Sequence, residues 1–544
     1  MSALSSRQPS SAPISRTHTP PPLPSKDIPK DFRSSLSAWW ASSPYNSSRV
    51  AEERLLRRLS MYKPSPRSEE TRGWFGSAQG SAVSLGEQHP CLDQSEAAKP
   101  EATANGSASD SNGLVATLRN VFIPTPNPSD APLHPADPRV ALAEFQPDDP
   151  TLPVSGSPEK NHHFRHKICK KTDKNLVDYI NTLEITAPEN RDAKEAVVVL
   201  HGYAAALGFF FRNWESIAHS SAQTNRRTFF LDWLGMGLSS RPSSHLLSSP
   251  LNTPIPSRVA RAEHFFLSSL EDWRKSIGIE KMVLVGHSLG GYLASAYAVR
   301  YPERVSGLVL VSPAGIPHGP EYTPYPLTSQ NPSPSQAPPR EAAETPSELD
   351  EAVDAAEMEL GERSKYEPKG EAKQWQGDRD SSLMRRGMMK FFVWGWERGL
   401  SPFSILRSIG PWGPLWVGKY SSRRFGAQKE EDVKDLHAYI YGTSVMKGSG
   451  EYCISHILAP GAYARIPILD RINQLKIPVT FMYGDNDWMD VQGGYDSAQA
   501  LLKAGNPRCA VHVVPKAGHH LYLDNPEVSN KLFDEAIKTV PNTS

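Results

Sequence analysis

Cysteine is scarce. Cys91, Cys169, Cys453 and Cys509 are the four in 544 residues, and no two stand at a metal-ligand spacing. That excludes a disulfide-stapled scaffold and a zinc framework, and it points to free thiols in a reducing compartment. No apolar run approaches the roughly 18 residues that a membrane-spanning helix needs, so any membrane contact is expected to be peripheral. Charge of one sign is also missing: 59 basic residues meet 59 acidic ones, which leaves no global field to draw nucleic acid. Hydrophobic residues make up only 38% of the chain against 49 prolines, so much of it cannot pack a core. One large domain with polar tails and insertions is expected rather than three domains.

What is present centres on KMVLVGHSLGG, Lys281 to Gly291. A short apolar run reads as a buried parallel strand that stops at Gly286-His287-Ser288-Leu289-Gly290 and gives way to a helical pattern. The flanking glycines suit a strand-to-helix turn too tight for β-carbons, and the turn would hold Ser288 out at the helix start as a nucleophile. The amide of Leu289, at the positive end of that helix, could then stabilise an oxyanion.

Around this stretch the chain alternates β and α patterns, which specifies an α/β fold with a mostly parallel sheet covered by helices on both faces. Expected strands are Leu114 to Ile123, Tyr179 to Thr186, Glu195 to Leu200, Arg227 to Trp233, the elbow strand, Val305 to Ser312, Pro478 to Tyr483 and Ala510 to Val514. Expected helices include Phe209 to Ala222 and the amphipathic Arg258 to Ile277. The core is therefore assigned to residues 113–315 and 468–544. Residues 316–385 are too polar to fold alone, and 386–467 read as a helical lid. In that lid Trp394, Trp396, Trp412 and Trp416 lie among cations, a composition suited to lipid head groups.

Residues 1–112 are expected to be a disordered or targeting region, with 76–112 a linker. Its first 35 residues are rich in Ser, Pro and Arg with no acid before Asp27, which resembles a mitochondrial import segment. Within it, residues 36–62 carry Trp39 and Trp40 ahead of a basic amphipathic helix, Arg49 to Tyr62, a combination that suits a membrane interface.

The remaining chemistry lies late in the chain. Strand Pro478 to Tyr483 leads into Gly484-Asp485-Asn486-Asp487-Trp488-Met489-Asp490, and the last strand into Lys516-Ala517-Gly518-His519. A serine needs an imidazole to take its proton, and the imidazole needs a carboxylate to fix its tautomer. His519 is the candidate base, and Asp487 or Asp490 the candidate acid, with Asp487 at the better offset. Asp485 is expected to shape the loop. The loop after EAVVVL, at His201-Gly202-Tyr203, is placed to offer a second oxyanion donor, the amide of Tyr203 or Ala204.

Ser288, the late acid and His519, in that order, resemble the α/β-hydrolase superfamily. Three stretches, LDWLGMGLSSRP (Leu231 to Pro242), WERGLSPFSILRSIGPWGP (Trp396 to Pro414) and AGHHLYLD (Ala517 to Asp524), are similar to its branch containing CGI-58, the N-acyl-phospholipid lipase and the fungal cardiolipin-specific deacylases. The resemblance implies a hydrolase of phospholipid acyl esters, of the cardiolipin deacylase or phospholipase A kind, with no cofactor and no metal. It also implies, as an alternative, a lysophosphatidic acid acyltransferase using acyl-CoA, because His519 and Asp524 match the branch's acyltransferase motif. A further alternative is a non-catalytic lipase co-activator. From the residues alone, Asp524 before Asn525-Pro526 also suits a helix N-cap. The implied location is a mitochondrial membrane surface, or else the cytoplasm and lipid droplet.

Overall fold

The computed structural model describes residues 26–62, 113–135, 177–247, 249, 253–319, 393–426 and 428–542. The expected linker over 76–112 lies outside these residues, as does the polar insertion beyond residue 319.

Eight strands form one sheet: β1 (Val115–Pro124), β2 (Val177–Thr186), β3 (Glu195–Leu200), β4 (Arg227–Leu231), β5 (Lys281–His287), β6 (Val305–Val311), β7 (Val479–Gly484) and β8 (Cys509–Val514). Their spatial order is β1-β2-β4-β3-β5-β6-β7-β8, with β1, β2 and β4 joined antiparallel and every later pairing parallel. Strands β3, β6 and β7 are buried at every position, as mostly apolar strands covered on both faces should be. Parallel strands bring their C-terminal ends to one edge, which is where open α/β sheets place their chemistry. Leu200 pairs with Gly286 across β3 and β5, so the loop after β3 starts beside the turn after β5.

Helices cover both faces. Between β4 and β5 runs the helix Ile255–Ile277, which buries Ala262, Phe266, Leu270 and Trp273 and ends at Gly278 in the left-handed region. It starts three residues earlier than the expected Arg258, because Pro256 supplies a pre-set first-turn dihedral. The helix expected from Phe209 begins at Trp214 instead, since Leu207–Phe210 is wound as a 3-10 turn.

The N-terminal region departs most from the sequence reading. Residues 32–62 belong to the fold. Helix α1 (Phe32–Trp40) is capped by Asp31, whose carboxylate accepts from the Ser34 amide at 2.9 Å. Helix α2 (Pro44–Leu56) starts at a first-turn proline, not at Arg49, and ends before Tyr62. Ala51, Leu55 and Leu56 are fully buried, while Arg54 pairs with Asp435 at 2.7 Å and Arg58 with Asp432 and Asp435 at 2.9 and 2.6 Å. Charges that look available for an anionic surface are therefore neutralised by acids almost four hundred residues later. Tyr62 then bridges to Ala116 at the sheet edge.

Those acids lie on the lid. Among the described residues its longer helices are Pro402–Ser408, Gly413–Arg424 and Glu430–Val445, of which the last two pack on each other and on the N-terminal pair. Ser35 Oγ donates to the Pro411 carbonyl at 2.6 Å and accepts from the Leu415 amide at 2.9 Å. Among the described residues no helix is long and apolar enough to cross a membrane.

One buried carboxyl joins α2, the sheet and the lid. Glu52 accepts from Tyr439 Oη at 2.7 Å and from Asn181 Nδ2 at 3.2 Å, and Asn181 also donates to Asp232 at 2.9 Å. Burial, then the charge of Asp232, raises the Glu52 pKa to about 8. An unfolded Glu titrates near its ordinary value, so the folded state holds the extra proton in between. The stability contributed by protonated Glu52 is thus fully present at acid pH and lost as pH rises from about 5 through about 8. Glu52→Gln, which keeps the hydrogen bonds and cannot ionise, should flatten that loss in melting temperatures measured across the window. Equal pH slopes for parent and variant would contradict the assignment.

Candidate active site

At the end of β5 the chain turns through Ser288 at φ 52 and ψ −118, a conformation that residues with a β-carbon rarely adopt. It is held by the Ser288 amide donating to Val311 O at 2.9 Å and by the Ser288 carbonyl accepting from Gly291 and Ala314. The flanking glycines have a steric reason. A β-carbon at Gly286 would collide with the Gly290 carbonyl, and one at Gly290 would stand 2.5 Å from the Leu200 carbonyl. Ser288 is only 8% exposed, at the head of the helix Leu289–Arg300. As first helical residue, Leu289 has no carbonyl a turn earlier for its amide to reach.

His519 and Asp487 come together at 3.0 Å, Nδ1 to Oδ1. A carboxylate only accepts, so Nδ1 carries the proton and Nε2 presents a lone pair. Asp487 also accepts from the Met489 amide at 3.0 Å, and the Trp488 ring flanks His519 with centroids 4.9 Å apart. Asp490 is turned elsewhere: it is exposed and accepts from the Gln492 amide at 2.9 Å, at the start of the helix Gln492–Lys503. Asp485 accepts from the amides of Lys516 and Ala517 at 2.8 and 2.9 Å, tying the acid loop to the histidine loop.

Two further histidines set this geometry. His287, the residue before Ser288, bonds through Nε2 to the His519 carbonyl at 3.0 Å, so Nε2 must donate. Burial, then the neighbouring His519, pushes its pKa well below the ordinary value and keeps the ring neutral. His201 donates from Nδ1 to the Gly202 carbonyl at 2.7 Å and accepts the Trp233 amide at 3.0 Å. It fixes the loop carrying Tyr203 and Ala204, and burial lowers its pKa too. A β-carbon at Gly202 would lie 2.9 Å from Ser288 Cβ, so this loop abuts the serine, with Ala204 in the left-handed region at φ 58.

The arrangement offers a hydroxyl on a sharp elbow, an oriented imidazole, and amides at a helix start and in the loop beside it. Such a constellation can attack a carbonyl carbon and hold the resulting oxyanion. A family model described as alpha/beta hydrolase fold matches residues 195–526. The chain belongs to the α/β-hydrolase family. It is 32% identical over 354 residues to the 1-acylglycerol-3-phosphate O-acyltransferase of Arabidopsis thaliana, covering 64% of this chain and 67% of that protein. It is 30% identical to the (lyso)-N-acylphosphatidylethanolamine lipase of Mus musculus (65% and 82% covered) and 29% identical to the 1-acylglycerol-3-phosphate O-acyltransferase ABHD5 of Rattus norvegicus (64% and 79%).

In this member of the family Asp524 does not cap the last helix. Asn525 does so, accepting from the Val528 amide at 3.3 Å, while Asp524 faces Arg424 of the lid. The lid meets the loop after β3: the Phe403 ring stands 5.1 Å from that of Tyr203, and the cavity that Phe403 borders with Ala204 and Ala205 holds about 20 Å³, the room of a single water. Of the lid tryptophans, Trp396 packs on the core and donates to the Leu458 carbonyl at 2.9 Å, whereas Trp394, Trp412 and Trp416 are exposed. Trp40 is 82% and Trp39 38% exposed, on a helix whose Phe32 ring sits 4.6 Å from that of Trp412. The roles of His201, His287 and Arg424 are not legible from sequence, where a histidine inside an elbow or an arginine ending a helix carries no mark of its partner. His287 alone had a signal, its position against Ser288.

Proposed function

We propose that this protein cleaves an acyl ester of a phospholipid through a Ser288 acyl-enzyme, as a cardiolipin-type deacylase or phospholipase A. The observation that supports the reading is the His519–Asp487 hydrogen bond, on a loop whose His519 carbonyl is held by His287, the neighbour of Ser288. Ser288 Oγ attacks the ester carbonyl while His519 Nε2 takes its proton, and the amides of Leu289 and of Tyr203 or Ala204 hold the oxyanion. His519 returns the proton to the departing lysophospholipid oxygen, and water then releases the fatty acid. The names of the lipase and acyltransferase relatives support a lipid substrate. The Arabidopsis relative's name also favours a second reading, in which acyl-CoA loads Ser288 and a lysophospholipid hydroxyl replaces water.

Purified protein incubated with mixed cell phospholipids, with and without acyl-CoA, separates the two by mass spectrometry. Loss of a diacyl species with release of lysolipid and fatty acid supports the first. Acyl-CoA-dependent gain of diacyl species supports the second, and no change beyond a Ser288→Ala blank sinks both.

The same proposal includes the place of work, a mitochondrial membrane surface, supported by the acid-poor composition of residues 1–26. Docking is assigned to a platform of the exposed aromatics Phe32, Trp39, Trp40, Trp412 and Trp416, in which Phe32 meets Trp412 and Trp39 meets Trp40, because indole rings favour the head-group layer. Arg54 and Arg58 are engaged with acids of the lid and contribute little. Trp39→Ala with Trp40→Ala should weaken flotation with cardiolipin-containing liposomes and lower activity on vesicles more than on a short-chain soluble ester. A double variant that floats and turns over vesicles like the parent removes the platform from the mechanism.

A further inference from the structure

The segment that carries His519 is supported from the lid. Asp524 accepts from Arg424 through both oxygens, at 2.8 Å on Oδ1 and 3.0 Å on Oδ2. Its Oδ2 also accepts from the Gly518 amide at 3.0 Å, one residue before His519. Two other lid residues reach the same segment. Gln428 donates to the Leu523 carbonyl at 3.0 Å, and the fully buried Phe425 ring meets His520, centroids 6.5 Å apart. His520 in turn packs at 4.9 Å on His287, whose Nε2 holds the His519 carbonyl. The loop bearing the catalytic imidazole is thus clamped from two sides, by the elbow through His287 and by the lid through Asp524.

We propose that Asp524 is a positioning residue: its carboxylate joins the lid helix Gly413–Arg424 to the Gly518 amide, so that the seated lid sets the placement of His519. This rests on the reading of Ser288 and His519 as the reacting pair. It differs from both roles the sequence offered for Asp524, a helix cap and an acid in acyl transfer. A bidentate arginine and a backbone amide already claim three of the roughly four lone-pair sites of the carboxylate, and the arginine's charge disfavours the protonated form that an acid acting on a second acceptor would need. The consequence is that water and lysophospholipid acceptors depend on Asp524 equally, since both use the same imidazole.

The test is Asp524→Asn, Arg424→Gln and the double variant, in the full chain, with melting temperatures checked. Small misplacements of reacting groups cost up to about 100-fold, so each single variant should lower kcat by about 10- to 100-fold with KM nearly unchanged. Fluorophosphonate labelling of Ser288 should slow in parallel, the ratio of acyl transfer to hydrolysis should stay at the parental value, and the double variant should be no worse than the poorer single one. Hydrogen exchange at the Gly518 amide, which needs no turnover, should quicken in Arg424→Gln. Selective loss of transfer in Asp524→Asn, with hydrolysis and labelling intact, would overturn the proposal, as would parental kcat and parental exchange in Arg424→Gln. A parent enzyme whose Ser288 fails to label would instead condemn the acyl-enzyme reading, and the exchange measurement would still decide the lid contact.

Discussion

Ser288→Ala should bring lipid turnover down to background and remove all fluorophosphonate labelling, while melting at the parental temperature. Loss of a triad serine in comparable enzymes costs on the order of a million-fold in kcat, because what survives is only the binding and oxyanion contribution. The fold should tolerate it. Ser288 is held through its own amide and carbonyl, with Val311, Gly291 and Ala314, and alanine keeps all three contacts. Removing the hydroxyl also leaves the positive φ no harder to adopt. Labelling that persists in the variant would place the nucleophile elsewhere.

The second large effect separates the two acids. Asp487→Asn should lower kcat by about four orders of magnitude, because the amide can donate to Nδ1 and so favours the tautomer with its proton on Nε2, which cannot take one from Ser288. Asp490→Asn should leave kcat near the parental value, since asparagine accepts the Gln492 amide about as well as aspartate does. The reverse ranking would transfer the role to Asp490.

The α/β architecture was readable in the sequence because its strands are dense: β3, β6 and β7 are mostly apolar with a single polar side chain each, and burial on both faces demands that composition. Ser288 and its two glycines were readable because a tight elbow constrains residue type locally. The choice between Asp487 and Asp490 was not settled by spacing, since either lies within a loop's reach of His519. Only the pairing of Asp490 with the Gln492 amide shows where that carboxylate points. The N-terminal helices were misjudged for a different reason. Arg54 and Arg58 read as surface cations, and their partners Asp432 and Asp435 lie in another part of the chain. Asp524 failed in the same way: its neighbours Asn525 and Pro526 advertise a cap, and Arg424 is a hundred residues away.

The docking of α2 on the lid also sets a schedule for biosynthesis. Glu52 and Tyr439 are 387 residues apart, so α2 finds its seat only after most of the chain has left the ribosome. At roughly 5–20 residues per second that is a wait of about 20–80 s. During it Ala51, Leu55, Leu56 and an unpartnered carboxyl stay open to whatever meets a nascent chain, a chaperone or an import receptor among them. Helix α2 therefore waits on a partner made most of a chain later, and can seat only once the lid helix Glu430–Val445 has been synthesised.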